Sequence, residues 1–280
     1  APRPPPPSAV TPSVHACRTV PLSSLPARIR ALWPQSWQSF NAVQSTVLER
    51  CLQSDDHMCV AAPTGAGKTG IFELCISRLI VTAPKVSECK IVYLAPIKAL
   101  CNERLRDWER RFAPFGLKVA ALTGDSTSAE GFNIIVAANV ILTTPEKWDT
   151  MTRGISSRWG PLLLQRLRLL LVDEAHLIAE EGGRGSTLEA VVTRMKHLST
   201  VAERGAAAGP AAGGDRGGCG MRMVGVSATM PNVVDVGLWL GAVPENIVSF
   251  GPEFRPVPLT THVVGLSPTT NEFFFGKACR

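Results

Sequence analysis

The segment Ala62-Pro-Thr-Gly-Ala-Gly-Lys-Thr69 constrains this chain more than any other. It follows a short apolar run, His57–Ala61, and leads into a stretch where Ile71, Leu74, Cys75 and Leu79 fall at helical spacing. A glycine-rich turn between strand and helix lets several backbone N–H groups face one anion. Gly65 and Gly67 permit the backbone angles and the close approach that a phosphate needs. The following helix directs its unpaired N–H groups and partial positive charge at the same point. Lys68 can then reach the outer phosphates, and Thr69 can set its hydroxyl on Mg²⁺. The general form of such a loop is G-x-x-x-x-G-K-[ST], and Ala62 stands where the first glycine would be.

The rest of the chain alternates between short apolar runs and longer helical patterns. Strands are predicted at His57–Ala61, Lys90–Leu94, Lys118–Leu122, Val140–Thr143, Leu167–Val172, Met221–Ser227 and Asn246–Phe250. Helices are predicted at about 41–53, 68–82, 97–113, 146–153, 186–203 and 232–240. This alternation implies an α/β fold, a parallel sheet with helices on both faces, whose ligands sit at the carboxyl ends of the strands. Residues 27–255 are expected to form that lobe. Residues 1–26 are proline-rich and read as an extended, mobile tail. Residues 205–220, rich in Gly and Ala, read as a flexible surface loop.

Charge and composition exclude several classes. Hydrophobic residues make up 45% and charged residues 19%, so the chain can bury a core. No apolar run approaches the roughly 18 residues of a bilayer span, and no membrane partner is expected. The net charge of +6 permits a polyanionic partner without establishing one. Eight scattered cysteines without a C-x-x-C pair read as reduced thiols of an intracellular protein. The histidines have no metal-ligand spacing, so no zinc site is assigned.

A phosphate loop needs a carboxylate at the end of another strand to hold Mg²⁺ through water. Leu167-Arg-Leu-Leu-Leu-Val172 ends in Asp173-Glu-Ala-His176, about 105 residues after the loop. Asp173 is placed to bind the metal together with Thr69, and Glu174 to polarise the water that attacks the γ-phosphate. His176 is expected to make a polar link toward the strand bearing Ser227-Ala-Thr229. Strand ends with Pro96, Thr123 and Thr144 offer hydroxyls and free N–H groups suited to phosphates, and Lys98 and Lys147 add charge. The basic helix 102–111 has interleaved acids and reads as a solvated face with internal ion pairs.

Taken in order, from about Phe40 to Leu259, these segments resemble the superfamily-2 helicases of the DExH type. Phe40-Asn-Ala-Val-Gln44 resembles their adenine-reading segment, with Gln44 in the base-contacting position. Ala62, Pro63, Thr64, Gly65, Ala66, Gly67, Lys68 and Thr69 match the A-x-T-G-x-G-K-T form of the nucleotide loop, which accounts for Ala62. Ala95–Leu100 (with Pro96 and Lys98), Thr123-Gly124-Asp125 and Thr144-Pro145-Glu146-Lys147 match the nucleic-acid-gripping segments. Asp173–His176 is similar to the acidic box, and Ser227-Ala-Thr229 to the segment that links ATP state to strand contact. Within that superfamily, Phe72-Glu-Leu, Ile97-Lys-Ala-Leu-Cys101, Thr144–Asp149, Arg184–Glu189 and Phe254–Leu259 resemble the meiotic crossover DNA helicases. A spliceosomal group of RNA-unwinding relatives shares Thr144–Asp149 and Arg255–Leu259.

The resemblance implies the first RecA-like lobe of a nuclear, ATP-dependent DNA helicase of meiotic recombination, with ATP and Mg²⁺ as cofactors. Its partner would be single-stranded or branched DNA, with RNA as the alternative. Some relatives carry an iron–sulfur cluster between the loop and the acidic box. Only Cys75, Cys89 and Cys101 lie there, on regular elements, and read as buried thiols. Residues 256–280 would be the truncated start of a second lobe, and no Gln-x-x-Gly-Arg-x-Gly-Arg segment follows. An arginine finger is worth about 10³–10⁵ in rate. The chain alone is therefore expected to bind nucleotide and hydrolyse it slowly, or to act as a strand-binding module without turnover.

Overall fold

The computed structural model of the protein describes residues 8–13, 17–153, 163, 165–180, 183–207 and 220–262. Its strands are β1 (Met58–Ala61), β2 (Lys90–Leu94), β3 (Val119–Leu122), β4 (Val140–Thr143), β5 (Leu167–Val172), β6 (Arg222–Ser227) and β7 (Ile247–Ser249). They lie in the order β3-β4-β2-β5-β6-β1-β7. Every pairing is parallel. Each falls inside one of the seven predicted runs. The fully buried strands β1, β2, β4 and β6 have the apolar character of a sheet covered on both sides.

The helices are α1 (Ala27–Arg30), α2 (Ala42–Gln53), α3 (Lys68–Thr82), α4 (Lys98–Phe112), α5 (Ser128–Ala137), α6 (Pro145–Thr152), α7 (Arg184–Ala207) and α8 (Val233–Leu240). Alternation along β2 sends Ile91 and Tyr93 to one core and Val92 and Leu94 to the other. The first core is closed by α2, α3 and α4 through Val47, Leu74 and Trp108. The second is closed by α5, α6, α7 and α8 through Ile135, Trp148, Val191 and Leu240.

Three elements differ from the sequence reading. Helix α5 was not expected, although Thr127-Ser-Ala-Glu130 is a capping box: the Thr127 hydroxyl accepts from Glu130 N–H, and Thr127 N–H donates back to the Glu130 carboxylate. The Lys90 ammonium closes the other end of α5 by donating to the Val136 and Ala138 carbonyls. Helix α7 runs to Ala207, past its predicted end, and residues 208–219 of the expected loop lie outside the described residues. Residues 8–13 and 17–26, read as tail, lie on the lobe. Val10 N–H donates to Ile247 O at 2.8 Å and Ser249 N–H to Val10 O at 2.9 Å, so this segment covers the outer edge of β7. Val20, Leu22 and Leu25, interspersed among the prolines, pack on the first core. Residues 1–7, 14–16 and 263–280 are outside the described set. Among the described residues no helix is long and apolar enough to cross a membrane.

Candidate nucleotide and nucleic-acid site

Strand order brings the chemistry together. The phosphate loop leaves β1, Ser227 ends β6 and Asp173 follows β5, and these are three adjacent strands. Gly65 and Gly67 adopt φ +82° and +78°, closed to most side chains. A Cβ at Gly67 would also lie 2.6 Å from Asn41 Nδ2 and 2.7 Å from Gln44 Nε2 and would push those amide ends aside. Buried Ala62 donates its N–H to Ser227 O at 3.0 Å, which ties the loop to β6. Lys68 folds over the loop and donates to Ala62 O at 3.1 Å. Pro63 and Ala66 are buried, Thr64 and Gly65 exposed, and Thr69 half-buried in the first turn of α3.

Gln44, expected to contact adenine, also holds the phosphate loop. Its Nε2 donates to Gly67 O at 3.0 Å and its Oε1 accepts Asn41 N–H at 3.3 Å, with the residue 3% exposed. Asn41 is the N-cap of α2, Gln44 completes the capping box, and Asn41 Nδ2 donates to Ala66 O at 3.1 Å. The pair therefore props the loop from behind.

The carboxylates sit under contrasting constraints. Asp173 Oδ1 accepts Glu174 N–H at 2.9 Å, and its Oδ2 accepts the Tyr93 hydroxyl at 2.5 Å. Burial raises the Asp173 pKa, while the Tyr93 hydrogen bond, the Glu174 N–H and the Lys68 charge pull it back. Glu174 has φ +50°, the one non-glycine residue at positive φ among those described, a strained conformation of the sort concentrated at functional sites. Its Oε2 is buried without a hydrogen-bond donor among the described residues. His176 Nδ1 accepts Ala228 N–H at 3.3 Å and lies 3.4 Å from Ser227 Oγ. That leaves Nδ1 unable to donate to Glu174 Oε2, 3.4 Å away. Thr229, two residues past β6, is exposed.

The other half of the sheet, β3-β4-β2, carries the remaining candidates at the same edge. Exposed Lys98 forms an ion pair with Asp125, and Lys147 Nζ donates to Ser126 O at 2.7 Å. The two lysines thus hold the 123–127 turn from either side. The Thr144 hydroxyl caps α6 by accepting Lys147 N–H at 3.4 Å, Pro145 is buried at the first helical position, and Thr123 is 7% exposed. Gly124 is exposed and Pro96 half-buried.

Sequence reasoning missed a cluster behind the site. Helix α4, expected as a solvated face, buries Trp108 completely, and Trp108 Nε1 donates to Glu73 Oε1 at 3.0 Å. Arg111 pairs with Glu73 Oε2 and lies 5.5 Å from the Trp33 ring centroid. An acid and a tryptophan at spacings that give no local signal could not be matched without the fold.

Helix α7 meets the short helix Ala175–Ala179, just after Glu174, at Gly185. A Cβ there would lie 2.4 Å from Ile178 O and 2.9 Å from Leu177 O. We expect Gly185→Ala to lower stability by about 1–3 kcal/mol through overpacking, read as a lower melting midpoint. An unchanged melting curve would contradict this close approach.

The chain belongs to the DEAD/DEAH box helicases: the model of that family matches residues 41–236. Among its relatives, "Probable ATP-dependent DNA helicase HFM1" of Xenopus tropicalis is 42% identical over 262 residues, covering 91% of this chain and 18% of that protein. "ATP-dependent DNA helicase homolog MER3" of Arabidopsis thaliana is 38% identical over 273 residues, covering 94% of this chain and 22% of the relative. The chain thus spans about a fifth of the length of these relatives. The structure of the DUF1998 helicase MrfA bound to DNA and AMPPNP superposes with a TM-score of 0.63 at 21% identity, over 84% of this chain and 30% of that one, and shows the same fold.

Proposed function

We propose that this lobe is the ATP-binding half of an ATP-dependent DNA helicase acting in meiotic recombination in the nucleus. One observation carries the reading: the phosphate loop, Asp173 and a donor-less Glu174 oxygen converge at the carboxyl ends of β1 and β5. The Thr69 hydroxyl and Asp173 carboxylate are hard oxygen donors, which fit Mg²⁺ held through water. Magnesium would neutralise charge on the β- and γ-phosphates of ATP. Lys68 would leave Ala62 O for those phosphates, and Glu174 would take the proton of the attacking water. His176 would report the state of Glu174 to Ser227 and the Thr229 segment. Pro96, Lys98, Thr123, Gly124, Thr144, Pro145 and Lys147 would grip the strand through its backbone, which suits a motor that moves along any sequence. The printed names of the relatives favour DNA over RNA as that strand.

The test compares single-stranded DNA and RNA of equal length at matched salt, reading binding by the purified chain and its phosphate release from Mg²⁺-ATP. The expected result is tighter binding to DNA, affinity that falls with salt, and slow turnover. Preference for RNA would move the protein to the RNA-unwinding relatives. Vigorous strand displacement by this chain alone would refute the need for a second lobe.

A further inference from the structure

The two halves of the sheet meet where β2 pairs with β5, and there one side chain crosses. In the register of that pairing Tyr93 lies beside Leu171 and Leu94 beside Val172, and Asp173 N–H donates to Leu94 O. Residues 171 and 173 point to the same face of the sheet, so the Tyr93 ring lies diagonally behind Asp173 and its hydroxyl reaches the carboxylate. The ring itself is fully buried. It meets Phe72 of α3 edge-on at 5.7 Å and Trp108 of α4 at 5.2 Å. Phe72 sits one helical turn after Lys68, so the helix that carries the phosphate loop also fixes this ring.

The packing needs a ring of this size but does not need its hydroxyl. Phe72 and Trp108 contact the ring, and among the described residues the tyrosine oxygen has one hydrogen-bond partner, Asp173 Oδ2. On the other side of the carboxylate, Oδ1 accepts, among the described residues, the Glu174 N–H. A carboxylate gripped at both oxygens cannot rotate about its terminal torsion, and each oxygen keeps a lone pair for a further partner. We propose that Tyr93 is a positioning residue for the magnesium site, acting through Asp173. It holds the carboxylate plane so that Asp173 is already oriented toward the phosphate loop before the nucleotide arrives. The inference rests on the reading of Asp173 as the magnesium carboxylate. Outer partners of metal-binding groups typically contribute about 10–100-fold in metal affinity.

The experiment titrates a fluorescent ATP analogue against the purified chain, first in EDTA and then at rising Mg²⁺. Tyr93→Phe keeps the ring and its packing, so its melting midpoint should stay close to that of the wild type. Its affinity in EDTA should be unchanged, whereas the Mg²⁺ concentration giving half of the magnesium-dependent gain should rise by roughly tenfold. The same substitution made on Asp173→Asn should add little, because the group through which the hydroxyl acts has been altered. An unshifted Mg²⁺ midpoint in Tyr93→Phe would overturn the proposal. So would an equal loss with and without Mg²⁺, or an effect that adds in full to that of Asp173→Asn, since either marks a packing role. If the wild type itself shows no magnesium-dependent gain, the reading of the nucleotide site falls, and the role of Tyr93 falls with it.

Discussion

Lys68→Ala is expected to weaken binding of a magnesium nucleotide by about 10–100-fold, the worth of one or two charge-assisted hydrogen bonds. The fold should survive the change. Lys68 is half-buried, its one described side-chain hydrogen bond goes to Ala62 O, and the loop is held independently by Asn41, Gln44 and the Ala62–Ser227 bond. The effect should therefore appear in calorimetric titration with Mg²⁺-ATP and not in thermal unfolding. An affinity equal to that of the wild type would remove the nucleotide reading altogether. A large fall in melting temperature would mean that the lysine is a strut of the loop and not a ligand for phosphate.

Arg111→Met should have the largest effect on stability. It leaves the Glu73 carboxylate, 5% exposed, with the Trp108 N–H as its one remaining hydrogen-bond donor among the described residues. Removing one member of a buried pair costs about 3–5 kcal/mol, which for a lobe of this size lowers the melting midpoint by roughly 10 °C. Burial already raises the Glu73 pKa, and Arg111 offsets part of that rise. Without Arg111 the folded-state pKa climbs further. Between the ordinary carboxylate range and that raised value, the folded state binds more protons than the unfolded one, so stability falls as pH rises. The deficit of Arg111→Met should accordingly be greater at pH 7 than at pH 5. Glu73→Gln should be milder, because the glutamine keeps an acceptor for Trp108 and Arg111 retains Asp107 and the Trp33 ring. A deficit independent of pH, or a glutamine variant worse than the methionine one, would contradict this account.

Much of the fold could be read from the chain because parallel strands buried on both faces advertise themselves. Runs such as Leu167–Val172 are apolar but for Arg168, and the helices between them keep a regular stripe. What escaped did so for identifiable reasons. Helix α5 carries its signal in two capping residues and not in an apolar stripe, since Ile134 and Ile135 are adjacent and Phe132 and Val136 are exposed. The segment around Val10 and Leu22 reads as tail because proline dominates its composition, yet two backbone hydrogen bonds of Val10 hold it to β7 and a few apolar side chains hold it to the first core. At the candidate site, residue identity and spacing picked out the loop and the acidic run, which the fold places at the ends of β1 and β5. They could not show that Gln44 would bond to Gly67 O, that Glu174 would adopt positive φ, or that a tyrosine 80 positions before Asp173 would reach its carboxylate. Those depend on strand register, which no local pattern encodes.

Because every strand runs the same way, all the carboxyl ends share one rim of the sheet and all the amino ends share the other. The chain re-enters the sheet after residues 208–219 at Arg222, on the amino rim, where the buried guanidinium is anchored to the carbonyls of Arg50, Cys51 and Asp56. Chain entering β6 at Arg222 therefore joins the sheet at the rim away from the phosphate loop. That junction is thus a natural place to graft a dye or a surface tether clear of the carboxyl rim.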